Sequence, residues 1–154
     1  MKDRAILLAY LLGWWIVRTL PEKTAYSLFY SIGEFTHRRN GKSIQRLRGN
    51  LHVVKPDLDE LQLETLVATS MSSYMRYWCD TFRIQNWSTE RIRKTVTTTN
   101  DHLLIDPMKD GRGVVVALPH SGNWDHAGAY FCSLGIPLVT VAERLKPEAL
   151  FQKF

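Results

Sequence analysis

The chain has 154 residues, of which 45% are hydrophobic and 11% aromatic, so composition argues against full disorder, a repeat array and a disulfide-stapled miniprotein. Its two cysteines, Cys79 and Cys132, lie far apart and outside any C-x-x-C spacing. This predicts neither a disulfide framework nor a structural zinc site, and it favours a reducing compartment. The net charge of +5 favours anionic partners.

The positive charge is concentrated near the N-terminus. Residues 1–48 contain nine Lys and Arg against three Asp and Glu, whereas residues 49–154 contain eleven against twelve. The same region holds the longest apolar run, residues 5–17, with Lys2, Arg4 and Arg18 at its flanks. Apolar and basic character together predict contact with a membrane surface.

The apolar run is too short to cross a bilayer. As a helix it rises about 20 Å, against a hydrocarbon core of about 30 Å. No small-residue cleavage site follows it, which argues against a cleaved signal peptide. A buried core helix remains the alternative to an interfacial helix, which we favour. The predicted membrane-contact residues are Leu7, Leu8, Leu11, Trp14 and Trp15.

Two further helices follow Pro21. Residues 24–39 have apolar positions at helical spacing and end at Asn40, and residues 43–54 are stopped by Pro56. Five cations lie around the corner between these helices: Arg38, Arg39, Lys42, Arg46 and Arg48. They are either a solvated helical face or a site for phosphates, those of lipid headgroups or of a nucleotide. Nucleic acid is not a predicted partner, because neither a Gly-rich phosphate loop nor an aromatic-interleaved pattern is present.

A long amphipathic helix is predicted over residues 60–83, with Asp57 or Asp59 as its N-cap. Its apolar positions keep helical spacing, which is typical of a core helix. Ser88 is expected to open a short helix.

The pattern changes after residue 95. Residues 96–99 are strand-like, 113–118 form an apolar β-branched run of buried-strand type, and 137–141 form another short apolar run. Helical segments are predicted between them, at 101–109 and 122–134. The sequence therefore predicts an α/β fold within one domain, residues 1–154, in which 1–95 are mainly helical and 96–154 begin a parallel sheet.

The strongest chemical signal lies directly after the run 113–118, where His120 and Asp125 are five residues apart. The carboxyl end of a sheet strand is where open α/β folds place their chemistry. A neutral imidazole can take the proton of a substrate hydroxyl that attacks a carbonyl, provided that a carboxylate holds its other nitrogen. The pair can converge if His120 lies in a turn allowed by Gly122 and Asp125 lies in the first turn of the next helix.

Two alternatives for this segment are disfavoured. Ser121 lacks the G-x-S-x-G elbow of serine hydrolases. His126 directly follows Asp125 and could be mistaken for a metal ligand. However, His120, Asp125 and His126 lack an established metal-ligand spacing, so no metal is predicted.

Three sequence blocks carry a family resemblance. They are LPHSGNWDHAG at 118–128, VAERLKPE at 141–148 and YMRYWC at 74–79. Together they resemble the bacterial lipid A biosynthesis acyltransferase family, and the resemblance extends over essentially the whole chain. It is closest to members that act on phosphatidylinositol mannosides. It implies an α/β/α acyltransferase domain. Relatives are expected to continue beyond the position of Phe154, so this chain is expected to be an incomplete N-terminal portion of that domain.

The resemblance also implies a function. The expected reaction is transfer of a fatty acyl group from acyl-CoA to a mannose hydroxyl of a phosphatidylinositol mannoside, with no cofactor other than acyl-CoA as co-substrate. The expected location is the cytoplasmic face of the bacterial plasma membrane, as a peripheral protein among membrane lipids. His120 is implied as general base and Asp125 as its partner. The residues implied to bind substrate are Asn123, Trp124, Glu143 and Arg144.

Two alternatives remain open. One is a lipid A type acyltransferase that uses acyl carrier protein, although the AERLKPE block favours the mannoside acceptor. The other is an inactive fragment that only binds membranes.

Overall fold

The computed structural model describes residues 2–119, 121–141, 143–144 and 146–152. The elements in chain order are α1 (Lys2–Thr19), α2 (Glu22–Arg39), α3 (Lys42–Val54), α4 (Glu60–Arg83), a 3₁₀ turn (Ile84–Asn86), α5 (Thr89–Lys94), α6 (His102–Lys109), α7 (Trp124–Ser133) and α8 (Glu148–Phe151). The described residues contain no β-strand.

The chain divides into two compact units. The first comprises Met1–Gln85 together with Glu143–Phe154, and the second comprises Asn86–Ala142. The first unit therefore holds the four long helices and α8, whereas the second holds the H-x4-D motif.

The helix boundaries of the first unit follow from local chemistry. Pro21 precedes α2, and Asn40 ends that helix in the left-handed conformation, with φ of 47°. Asp59 caps α4 in a capping box, since its carboxylate accepts from the Gln62 backbone N–H and the Gln62 side chain accepts from the Asp59 N–H. The predicted helices at these positions are confirmed, with Asp59 as the α4 cap.

The core of the first unit forms along α4, which packs against α1, α2 and α3. One buried cluster comprises Val17, Ala25, Phe29 and Cys79, and another comprises Ile44, Val67 and Met71. Met75 packs against both clusters. Gly33 of α2 lies against the Met75 side chain: a Cβ atom at position 33 would lie only 3.0 Å from Met75 Cγ. The two long helices therefore approach each other closely at a small residue.

Polar contacts lock α1 onto α4. The indole Nε1 of Trp14 donates to the Phe82 carbonyl at 2.8 Å, and Arg83 Nη1 donates to the carbonyls of Val17 at 2.5 Å and Leu20 at 2.9 Å. These two bonds satisfy carbonyls at the end of α1, which have no intrahelical partner. The end of α1 is thus fixed by a single arginine.

The predicted α/β fold is wrong. The runs 113–118 and 137–141, which the sequence analysis interpreted as strands, have irregular backbone and form no ladder, and the same is true of 96–99. Val115, Val139 and Val141 are fully exposed. A β-branched apolar run becomes a strand only when neighbouring strands supply hydrogen bonds and other elements cover its faces, and the described residues supply neither.

The intervening helical predictions are confirmed, as α6 and α7. No helix in the described part of the chain is both long enough and apolar enough to cross a membrane.

Candidate active site

The H-x4-D motif lies at the junction of an irregular segment and α7. Gly122 has φ of 66°, a conformation that glycine adopts without a steric penalty. The Ser121 N–H donates to the Pro119 carbonyl at 2.8 Å. His120 itself lies outside the described residues. The conformation expected of Gly122 is present, whereas the placement of His120 in a turn and its geometry as a base stay predictions.

Asn123 begins the helix that carries the acid. Its side-chain oxygen accepts from the His126 backbone N–H at 2.9 Å, which caps α7. Asp125 lies in the first turn of α7, where the partial positive charge of the helix N-terminus favours a carboxylate. Asp125 therefore lies in the first turn of this helix, as the sequence predicts. Its pairing with His120 stays a prediction.

The motif helix α7 is anchored to α5 by contacts that sequence reasoning missed. Thr95 Oγ1 lies 3.0 Å from His126 Nε2 and donates its own hydrogen to the Arg91 carbonyl at 2.8 Å. The Trp87 ring packs edge-on against His126, with centroids 5.1 Å apart.

A second link joins the same helices, since Arg93 donates to the Ser133 hydroxyl at 3.2 Å and to its carbonyl. The sequence pattern suggests for His126 only the role of a metal ligand. No local signal pairs it with a threonine 31 positions away.

The predicted substrate-binding residues have the following structural environments. Asn123 caps α7, and Trp124 is half-buried in its first turn. Glu143 is exposed, and both Glu143 and Arg144 belong to the first unit. The Arg144 guanidinium donates to both carboxylate oxygens of Glu148, at 2.7 and 2.8 Å. This bond lowers the pKa of Glu148 and raises that of Arg144. The substrate-binding role of all four stays a prediction.

The predicted membrane-contact face of α1 needs one correction. Trp15 is 62% exposed and Leu8 is also exposed, whereas Leu7 and Leu11 are half-buried. Trp14 is only 7% exposed, because its ring packs edge-on against Phe82 at 5.9 Å and its Nε1 is bonded to the Phe82 carbonyl. Trp14 is therefore a core residue and not a surface anchor.

The basic corner between α2 and α3 is also smaller than its sequence suggests. Arg48 donates through Nε and Nη2 to the two oxygens of Glu64 on α4, the second bond being 3.0 Å. Arg38 lies 3.5 Å from Glu34, and the Arg39 guanidinium lies 4.7 Å from the Phe35 ring centroid. Arg48 thus serves helix packing, whereas the other four cations of the corner are exposed: Arg38, Arg39, Lys42 and Arg46.

Comparison with known proteins identifies the family of this chain. A sequence profile described as Bacterial lipid A biosynthesis acyltransferase matches residues 1–154. The phosphatidylinositol mannoside acyltransferase of Mycolicibacterium smegmatis (strain ATCC 700084 / mc(2)155) is 39% identical over 149 residues, 96% of this chain and 48% of that protein.

Proteins of the same name from Mycobacterium tuberculosis, strains CDC 1551 / Oshkosh and ATCC 25618 / H37Rv, are 37% identical over 149 residues, 95% of this chain and 46% of theirs. The chain spans about half the length of these curated relatives. Since the family profile matches the chain from end to end, the chain belongs to the bacterial lipid A biosynthesis acyltransferase family.

Proposed function

We propose that the intact protein is an O-acyltransferase that moves a fatty acyl group from acyl-CoA to a mannose hydroxyl of a phosphatidylinositol mannoside. The observation that carries the proposal is the similarity to mannoside acyltransferases over nearly the whole chain, motif included. The capped α7 supports it, because Asp125 lies in the first turn of this helix, shortly after Gly122 with its positive φ.

The proposed step uses His120 as general base. His120 takes the proton of the acceptor hydroxyl while that oxygen bonds to the thioester carbonyl carbon. The carbon–sulfur bond then breaks, and the imidazolium returns its proton to the departing CoA thiolate. Asp125 holds the second ring nitrogen and stabilises the imidazolium, as the acid does in a catalytic triad. No acyl-enzyme forms, so Ser121 has no covalent role.

The proposed location is the cytoplasmic face of the plasma membrane, as a peripheral protein. Support comes from the exposed apolar residues Leu8 and Trp15 on α1 and from the cations of the basic corner, which offer apolar burial and headgroup attraction together.

A donor and acceptor matrix tests the proposed reaction. The intact protein is incubated with radiolabelled palmitoyl-CoA or palmitoyl-acyl carrier protein, and with purified phosphatidylinositol mannoside or a lipid A precursor. We expect transfer for palmitoyl-CoA with the mannoside. Transfer to the lipid A precursor alone, or from acyl carrier protein alone, would reject the proposed substrates.

A further inference from the structure

His126, the residue after the motif aspartate, is held through both its backbone and its side chain. Its N–H donates to the Asn123 side-chain oxygen at 2.9 Å, and its ring Nε2 lies 3.0 Å from the Thr95 hydroxyl oxygen. The ring also packs edge-on against Trp87, with centroids 5.1 Å apart. Three contacts therefore fix the residue next to Asp125.

The two residues that contact the His126 ring are themselves held by α5. Thr95 directly follows the last residue of this helix, and its N–H donates to the Arg91 carbonyl at 3.1 Å. The Arg91 guanidinium lies 4.2 Å from the Trp87 ring centroid, within the range of a cation–π contact. All of these residues belong to the second unit. The ring of His126 thus packs against a support that α5 and its flanking residues build.

This support sets the direction in which Asp125 projects from α7. Consecutive residues of an α-helix are rotated by about 100° around the axis, so a fixed His126 ring also fixes the direction of its neighbour. For a carboxylate about 5 Å from the axis, a helix rotation of about 20° gives a displacement of about 2 Å. A displacement of that size breaks a hydrogen bond and costs catalytic rate.

The other link between α5 and α7 lies at the opposite end of the motif helix. Arg93 donates to the hydroxyl of Ser133, which is the last residue of α7, at 3.2 Å. The eight residues from Asp125 to Ser133 span about 12 Å of helix. Helix ends fray independently, so a contact in the last turn does not hold the first turn in place.

We propose that His126 is a positioning residue for the acyl transfer. Through Thr95 and Trp87 it orients the first turn of α7, so that the Asp125 carboxylate can hold the ring of His120. In this role His126 needs no contact with the substrate, because it acts through Asp125. The inference rests on the proposed function, which makes Asp125 the partner of the base.

Amide hydrogen exchange in the 154-residue chain tests the support without any acyl transfer. Thr95→Val removes the hydroxyl but keeps the shape of the side chain. Exchange at the amides of His126 and Ala127, which donate to Asn123, should become about fivefold faster, the effect of losing one hydrogen bond. Arg93→Gln is the matched control and should leave both amides at their wild-type rates. Unchanged exchange in Thr95→Val, or equal acceleration in Arg93→Gln, would overturn the proposal.

A pair of substitutions at position 126 separates the hydrogen bond from ring packing. His126→Phe keeps a ring against Trp87 but cannot bond to Thr95, whereas His126→Gln keeps a polar nitrogen that can. Exchange in the first turn of α7 should be accelerated in His126→Phe and close to wild type in His126→Gln. Circular dichroism confirms that each variant is folded. Equal acceleration in the two variants would contradict the proposed support.

A double-mutant cycle in the intact protein tests whether the support acts through Asp125. Thr95→Val should lower kcat about tenfold with KM unchanged, because the loss falls on the chemical step. In an Asp125→Asn background the same change should cost less than about twofold, since the carboxylate to be positioned is already absent. Additive losses would overturn the proposal. Absence of transfer in the wild-type protein would reject the proposed function instead, and it would leave the exchange rates unaffected.

Discussion

Glu64 joins three helices of the first unit through its contacts with Arg48 and His37. It lies on α4, accepts from Arg48 of α3 and has an oxygen 3.5 Å from the Nε2 of His37 on α2. The hydrogen bond from Arg48, followed by the charge of that residue and the contact with His37, holds the pKa of Glu64 below its ordinary value of 4.5. A carboxyl with a lowered pKa stabilises the folded state only while it is ionised.

We predict that this carboxyl makes stability depend on pH in the acid range. Its contribution is present above pH 4.5, the ordinary value, and is lost as the pH falls through the lower folded-state pKa. Glu64→Gln should therefore be less stable than wild type near neutrality, and the difference should shrink as the solution is acidified. Urea unfolding between neutral and acid pH measures it.

The matched control is Glu34→Gln, since Glu34 pairs with the exposed Arg38 within one helix. Exposed pairs of this kind contribute little. A Glu64→Gln deficit that is independent of pH, or equal to that of Glu34→Gln, would contradict the account.

Some of the site could be predicted at the residue scale. The glycine turn and the position of Asp125 follow from local sequence, because both depend on neighbours within a few residues. The contacts of His126 with Thr95 and Trp87 could not be predicted, since they depend on how α5 packs against α7. Local patterns carry no information about such long-range pairs.

At the scale of elements, α1 has two adjacent tryptophans with opposite environments. Trp14 faces α4 and is bonded to the Phe82 carbonyl, whereas Trp15 is exposed. Hydrophobicity alone could not separate them, because the whole run 5–17 is apolar and its periodicity is weak. The packing partner decides which face of the helix is core.

The two tryptophans should therefore separate folding from membrane binding. Trp14→Ala removes a buried aromatic ring and should lower the free energy of unfolding by about 3–5 kcal/mol. Trp15→Ala should change it by less than about 0.5 kcal/mol, yet weaken binding to anionic vesicles about tenfold. Denaturant unfolding and vesicle sedimentation are the measurements.

Salt provides the second arm of that experiment, because headgroup attraction to the basic corner is screened by ions. Binding to anionic vesicles should fall with salt and exceed binding to neutral vesicles. Equal binding to both, or an unchanged affinity in Trp15→Ala, would remove the proposed membrane face.

The helices themselves were largely predictable. The expected span of α4, residues 60–83, matches the structure, and α2 and α3 begin within two residues of their predicted starts. Proline, Asn40 and the Asp59 cap mark these ends in the sequence itself. Helical periodicity is a local signal, whereas a strand needs a partner, and this difference explains why only the strand predictions failed.

At the scale of the whole molecule, the runs 113–118 and 137–141 are irregular segments with exposed apolar side chains. Val115, Val139 and Val141 are fully exposed, and several of their neighbours are partly so. Short β-branched segments with unpaired backbone groups are templates for pairing with other chains.

The chain should therefore self-associate through these runs. Val115→Lys combined with Val139→Lys should lower the associated fraction at micromolar concentration, because a charge on an exposed strand-prone segment opposes pairing. Analytical ultracentrifugation of wild type and variant measures this fraction. The matched control is Val53→Lys, an exposed valine within α3. A monomeric wild type, or an equal effect of Val53→Lys, would contradict the prediction.

The central claim is that His120 acts as a base toward the acceptor hydroxyl and that no residue of the chain is acylated. Its most direct test compares the neighbours His120→Ala and Ser121→Ala in the intact protein, by acyl transfer from radiolabelled palmitoyl-CoA to phosphatidylinositol mannoside and by mass spectrometry of the protein. The account predicts a loss of about 10²–10⁴-fold in His120→Ala, near wild-type transfer in Ser121→Ala, and no acyl adduct. Retained transfer in His120→Ala, or an acyl ester on Ser121, would contradict it.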